Sequence, residues 1–194
     1  GGFGGRLDTN HAIRAVKLSM AVGKPVKYLF SRKEEFQNDM FRPPTAHILK
    51  GKLNSAGLFD SLEHHYASGN VLIGAVAMPS ILNTVLGADV GAMRGGNIMY
   101  DKIPNYRAVQ WLVSLPFATS SWRSLGLLAN TFAVESFIDE MAIRSRKDPV
   151  EFRLSQISDE GDSNRIREVI RLAAEKGAYY DHRRKFRHCP ACRR

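Results

Sequence analysis

Two features of this 194-residue chain combine residue types and spacing that chemistry can use. The first is Gly1-Gly2-Phe3-Gly4-Gly5-Arg6, feeding a segment that can form a helix. Glycines let the backbone come close to a ligand and adopt positive φ. Successive N–H groups in such a loop form an anion-binding nest, and a following helix N-terminus adds positive potential. The glycine spacing is not that of a dinucleotide-binding loop, and the strand that should precede one is missing. The second feature is Ser121-Trp122-Arg123-Ser124-Leu125-Gly126, just ahead of the strongest helical pattern. An arginine there can hold an oxyanion or a phosphate through two parallel hydrogen bonds. Taken singly, each has a plainer alternative: a tight turn for the glycines, and a surface arginine capping a carbonyl for Arg123.

The elements that must carry these loops read as follows. Asp8 or Thr9 can cap a helix running to about Val22, with Ile13, Val16, Leu18 and Met20 apolar and Gly23 as its stop. A strand is expected over residues 26–30. Ser31, with Glu34 three residues on, forms a capping box. After the break at Pro43-Pro44, strands over 46–53 and 58–68 form a hairpin through the turn Asn54-Ser55-Ala56-Gly57. Residues 71–96 are apolar and glycine-rich, with a helix expected around 78–86. A turn at Ile103-Pro104-Asn105 leads into a strand over 106–113. The clearest helix covers 130–144, with Phe132, Val134, Phe137, Ile138 and Met141 on one apolar face. Glu135 and Asp139 on that helix read as structural, bonding to loops or to basic side chains. Asp148-Pro149 starts a short helix. Asp162-Ser163 can cap the last one, with Ile166, Val169, Ile170 and Leu172 inward. Strands, a mixed region and then helices indicate an α+β fold with one hairpin and several helices.

Composition narrows the function classes. With 44% hydrophobic and 24% charged residues, the chain is ordinary globular protein rather than disordered. No run is apolar for long enough to span a membrane. Of the +9 net charge, +5 sits between Asp181 and Arg194, so the body carries no phosphate-tracking stripe and no nucleic-acid partner is expected. Cys189 and Cys192 are the only cysteines, which excludes a disulfide framework and iron–sulfur ligation by the body of the chain. With His182 or His188 they make half a zinc site, and tetrahedral zinc needs four ligands. His64 and His65 lie on a strand and therefore point to opposite faces.

The order of several motifs is more specific than any one of them. Gly-Gly-Phe-Gly-Gly-Arg is followed by Gly23-Lys24-Pro25-Val26-Lys27 and Ser31-Arg32-Lys33-Glu34-Glu35. Then come Lys102-Ile103-Pro104-Asn105, Trp122-Arg123-Ser124-Leu125-Gly126 and Glu135-Ser136-Phe137-Ile138-Asp139-Glu140. This order resembles the molybdopterin-binding large subunit of the xanthine dehydrogenase/aldehyde oxidase family. The closest branch is that of isoquinoline 1-oxidoreductase beta subunits and membrane-linked bacterial aldehyde dehydrogenases. The resemblance implies a molybdenum–molybdopterin cofactor in its cytosine dinucleotide form, with molybdenum held through that cofactor only. It implies oxidation of an aldehyde or N-heteroaromatic carbon with water as the oxygen source. Gly1, Gly2, Phe3, Gly4 and Gly5 would lie against the cofactor, and Arg123 would stabilise negative charge on the substrate. It further implies a small 2Fe–2S subunit as partner, a cytochrome c acceptor, the remainder of its own subunit, and a parent that is periplasmic or membrane-associated.

Three departures qualify the resemblance. Purine-oxidising members carry a glutamate where this chain has Leu7, so a purine would lack its hydrogen-bonding partner in the pocket. The family's general-base glutamate lies in a motif downstream that does not occur here, and the chain opens inside the glycine motif without Met. Residues 1–177 are therefore expected to be an internal piece of the cofactor-binding domain, inactive by itself. The family pattern is lost from residue 178 onward, so the basic tail 178–194 reads as a frameshift or truncation scar. The competing readings are an inactive remnant and a basic nucleotide- or nucleic-acid-binding module.

Overall fold

In the computed structural model, the structure describes residues 2–7, 9–71 and 88–182. The helix expected around 78–86, the Asp8 cap and both cysteines lie outside them. Two compact units are formed. One comprises Gly1–Ile48, His64–Asn97 and Ala108–Ala133; the other comprises Leu49–Glu63, Ile98–Arg107 and Val134–Arg194. The elements are a 3₁₀ turn (Gly5–Leu7), α1 (Asn10–Val22), α2 (Arg32–Asn38), β1 (Thr45–Leu53), β2 (Phe59–Ser68), α3 (Val90–Met93), β3 (Asn105–Leu112), α4 (Leu127–Arg144), α5 (Pro149–Ser155) and α6 (Gly161–Lys176).

A three-stranded mixed sheet runs in the order β1-β2-β3. The β1–β2 turn forms as its residues dictate. The Asn54 side-chain carbonyl accepts from the Ala56 and Leu58 N–H groups, and Gly57 takes φ 67°. β2 and β3 run parallel, because their partners ascend together. Asn105 bonds to the Asp60 carbonyl, Arg107 faces Glu63, Trp111 meets His65, and the Val113 N–H reaches the Ser68 carbonyl. β2 alternates as its period demands, with Leu62, His64, Tyr66 and Ser68 buried on one face. His64 Nε2 is 3.1 Å from His47 Nδ1, and burial holds both rings below the usual histidine range.

The second unit has the larger apolar core. Phe59 and Leu62 of β2 meet Tyr100, Ile103, Phe152 and Ile157, with Val134, Ile138, Met141 and Ala142 of α4 closing over them. Helical spacing puts those four α4 residues on one stripe. Phe132, expected on that face, is 77% exposed. On α6, Ile166 and Ile170 pack on the core while Val169 and Leu172 are exposed, against expectation. The stripe through 166, 170 and 174 is centred roughly 100° or more away from positions 169 and 172, at 100° per residue. Asp162-Ser163 is likewise not the cap: the N-cap is Glu160, and Ser163 donates instead to Asp101 at 2.7 Å.

In the first unit, α1 ends at Gly23 in the left-handed conformation as read, yet it buries no residue; Ile13, Val16, Leu18 and Met20 are exposed. Residues 26–30 form no strand. Alternating Val26, Tyr28 and Phe30 suits a pleat, but a strand needs a ladder partner. Phe30 instead packs edge-on against His11 at 4.5 Å and lies under Arg14. The capping box at Ser31 forms as expected, and Asp148 caps the helix that Pro149 starts.

Asp101 ties the start of α6 to the segment before β3. Its carboxylate accepts from the Ser158 hydroxyl and N–H and from the Ser163 hydroxyl. These bonds, the Ser158 hydroxyl first, bring it down to about 2 from an ordinary 3.8. A depressed carboxylate stabilises the fold above its unfolded value and loses that contribution as pH falls through its folded one. Asp101→Ala should therefore cost about 1 kcal/mol at neutral pH, discounted for its exposure. It should also flatten the decline in stability between about pH 4 and pH 2. Urea melts of the two proteins across that range measure both effects.

Candidate functional site

The glycine loop folds tightly on itself. The Gly5 N–H donates to the Gly2 carbonyl at 2.9 Å and the Leu7 N–H to the Gly4 carbonyl at 3.0 Å. Those two donors are thus used within the loop, so the anion nest expected from the sequence is smaller than the run of glycines suggests. Phe3 and Gly4 have φ of 49° and 108°. Gly4 lies directly against the chain at the second motif. A Cβ placed on it would stand 2.4 Å from the Ser121 carbonyl oxygen and 3.1 Å from the Trp122 Cα. The structure therefore brings together the two motifs, more than a hundred residues apart in sequence. Between them lies a cavity of about 130 Å³, lined by the glycine loop, by Asp39 and Met40, and by Ser120, Ser121 and Trp122. Sites that enclose a whole small molecule run to roughly 300–1,000 Å³. This one has room for the edge of a larger group.

The second motif is a bent loop at the start of α4. Ser124 and Leu125 both have positive φ, 75° and 53°. Side-chain-bearing residues held there cost on the order of 1–3 kcal/mol each. The surroundings supply the compensation. Arg42 Nη2 donates to the Arg123 carbonyl at 2.7 Å, and its Nη1 donates to the Leu125 carbonyl at 3.1 Å. Hydrogen bonds from charged groups contribute about 1.5–3 kcal/mol each. Gly126 is pressed against the Ala92 carbonyl, where an added Cβ would stand at 2.3 Å, and its N–H donates to Gly91. The Asn130 amide bonds to the Ala92 and Arg94 carbonyls. Arg123 itself is exposed.

Two further supports sit beneath the loop. Asp89 is fully buried and caps α3; its carboxylate accepts from the N–H groups of Val71, Gly91 and Ala92. The Ser121 hydroxyl donates to the Val71 carbonyl and the Thr119 hydroxyl to the Asn70 carbonyl. A parallel bridge joins Phe41 to Thr119. Arg42, Asp89 and Asn130 are absent from the sequence reading. Asp89 before Val-Gly-Ala has the form of an N-cap and could have been found. Arg42 ahead of Pro43-Pro44 gives no local sign of its partners.

The other candidate residues fall as follows. Gly1, Cys189 and Cys192 lie outside the described residues. Leu7 is 48% exposed. Among the described residues no three metal-ligating side chains converge. No described helix is long and apolar enough to cross a membrane. Glu135 and Asp139 are structural, as read: Arg153 donates to Glu135 at 2.8 Å and to Asp139 at 2.6 Å, and the Tyr100 hydroxyl donates to Glu135. Burial, with the Glu135 carboxylate adding to it, pushes the Tyr100 hydroxyl well above its usual range.

The chain is similar to several known proteins. Residues 1–157 match a family described as a molybdopterin cofactor-binding domain. Isoquinoline 1-oxidoreductase subunit beta of Brevundimonas diminuta is 31% identical over 176 residues, covering 90% of this chain and 22% of that protein. A membrane-bound aldehyde dehydrogenase (pyrroloquinoline-quinone) of Gluconacetobacter polyoxogenes is 30% identical over 175 residues, covering 83% of this chain and 21% of that protein. The chain thus spans about a fifth of the length of these relatives. The fold is shared with the aldehyde oxidoreductase from Desulfovibrio gigas, at a TM-score of 0.72 and 19% identity, covering 90% of this chain and 19% of that one. Because the match over residues 1–157 takes in most of its residues, the chain belongs to the molybdopterin cofactor-binding domain family.

Proposed function

We propose that this chain forms part of the cofactor- and substrate-facing wall of a molybdenum hydroxylase that oxidises an aldehyde or an N-heteroaromatic carbon. The observation that carries the reading is the packing of Gly4 on the Ser121–Trp122 backbone, which sets the two motifs side by side around one small cavity. The cavity walls fit the edge of a pterin-type cofactor: glycine backbone, the buried residues Ser120 and Ser121, and the open space over Gly5, where a Cβ would meet nothing within 4 Å. Gly2, Phe3, Gly4 and Gly5 would hold the cofactor by close backbone approach, and the sequence motif adds Gly1 to them. Bound there, the group supplies the two-electron redox chemistry, in its cytosine dinucleotide form on this reading. Arg123 brings a fixed positive charge to an exposed position, where it favours negative charge developing on a substrate oxygen or nitrogen. Leu7 offers an apolar surface where a carboxylate would be needed to bind a purine. Electrons would leave through a 2Fe–2S partner subunit to a cytochrome c.

Molybdenum and pterin content of the purified chain tests this. Metal analysis and fluorescence of the oxidised pterin should each give about one equivalent per chain, and Phe3→Ala should lower both. Folded protein that carries neither would end the reading for this chain.

A further inference from the structure

We propose that Arg42 is a positioning residue for Arg123. Its guanidinium grips the carbonyls of Arg123 and Leu125, and so holds Ser124 and Leu125 in the left-handed conformations that set where Arg123 points. The carbonyl and the side chain of Arg123 leave the same Cα, so fixing one narrows the arc open to the other. A planar fork suits two acceptors at a fixed separation; the point charge of a lysine does not. Arg42 is itself well placed to brace. It is half-buried, with Pro43 buried after it. Before it, the Phe41 N–H donates to the Ala118 carbonyl at 3.0 Å, and the Ser120 N–H donates back to the Phe41 carbonyl at 3.1 Å. Two residues further back, Asp39 and Met40 line the cavity shared with the glycine loop. The segment 39–42 thus touches both motifs, and Arg42 is the side chain through which it grips the Arg123 loop. The importance of Arg123 rests on the reading above; the bracing does not.

Hydrogen exchange of the whole chain, resolved at the amides of Leu125, Gly126 and Leu127, tests the brace. Arg42→Ala should raise exchange there at least about tenfold, since loss of even one charge-assisted bond does that and this variant loses two. Arg42→Lys should recover little of it, while the β1–β2 hairpin amides keep their wild-type rates in both variants. If Arg42→Ala fails to fold, Arg42→Lys and Arg42→Gln carry the test. Wild-type exchange in the loop of these variants overturns the proposal, as does full recovery in Arg42→Lys. In a holoenzyme carrying this chain, Arg42→Lys should lower kcat about tenfold with cofactor content unchanged. Arg123→Ala keeps the carbonyl that Arg42 holds, so its loop should exchange at the wild-type rate. That variant reads the substrate-facing role separately: normal turnover in Arg123→Ala would sink that role and leave the brace standing.

Discussion

Gly4→Ala is expected to detach the glycine loop from the Ser121–Trp122 backbone, while Gly5→Ala one residue away is expected to leave the loop seated and the fold as stable as before. At Gly4 the new methyl group would stand 2.4 Å from a carbonyl oxygen and 2.8 Å from its carbon. Both are backbone atoms, so no side chain can swing aside. The φ of 108° adds a second penalty, because L-residues rarely adopt it. Strain at such a φ costs about 1–3 kcal/mol, and forced overpacking costs a similar amount. The loop should relieve the clash by lifting away, which would abolish cofactor retention while lowering the melting temperature by only part of that sum. At Gly5 a Cβ meets nothing within 4 Å. Thermal melts of the two variants decide the matter, since an added Cβ over Gly5 would enter the space assigned to the cofactor and lower molybdenum content without touching the loop's packing. Equal behaviour would mean that the close approach at Gly4 does not exist in solution.

Asp89→Ala should be the most destabilising single change in the first unit. Its carboxylate is fully buried and accepts from the N–H groups of Val71, Gly91 and Ala92, at 2.7, 2.8 and 3.1 Å. Alanine would strand these donors without water. Each buried unpaired donor costs about 1–3 kcal/mol, so a total of roughly 3–5 kcal/mol is expected after local relaxation. Asp89→Asn keeps one acceptor oxygen of nearly the same shape and should lose about half as much. Denaturant midpoints for the three proteins test the ranking. Equal losses in Asn and Ala would show that acceptor count is not what matters at this position.

The sequence was most legible where structure is made by neighbours. The Asn54–Gly57 turn, the Ser31–Glu34 box and the Asp148-Pro149 start each depend on residues within four positions, and each formed as read. It was less legible where a segment needs a distant partner. Residues 26–30 carry the alternation of a strand, yet Phe30 found the rings and charges of α1 instead of a ladder. Val169 and Leu172 are apolar residues on a helix whose buried stripe runs elsewhere, and nothing in their own window reveals that. The site divides in the same way. The glycine run and Arg123 announce themselves by type and order. Arg42 acts on carbonyls 81 and 83 positions away, and any side chain can lie between without altering that bond, so local pattern carries no trace of it.

The parallel pairing of β2 with β3 fixes an order of assembly. β1 and β2 are joined by a five-residue turn, whereas thirty-six residues separate Ser68 from Asn105. Closing the longer connection costs about 2 kcal/mol more in chain entropy, and it must be closed before any β2–β3 ladder bond rewards it. The hairpin should therefore form early and wait. During synthesis that wait has a length: Phe59 and Leu62 cannot be covered until Tyr100, Ile103 and the helical residues beyond them have left the ribosome. The nascent hairpin is accordingly the species in which this chain is most exposed to aggregation, and slowing translation downstream of Ser68 would lengthen that exposure.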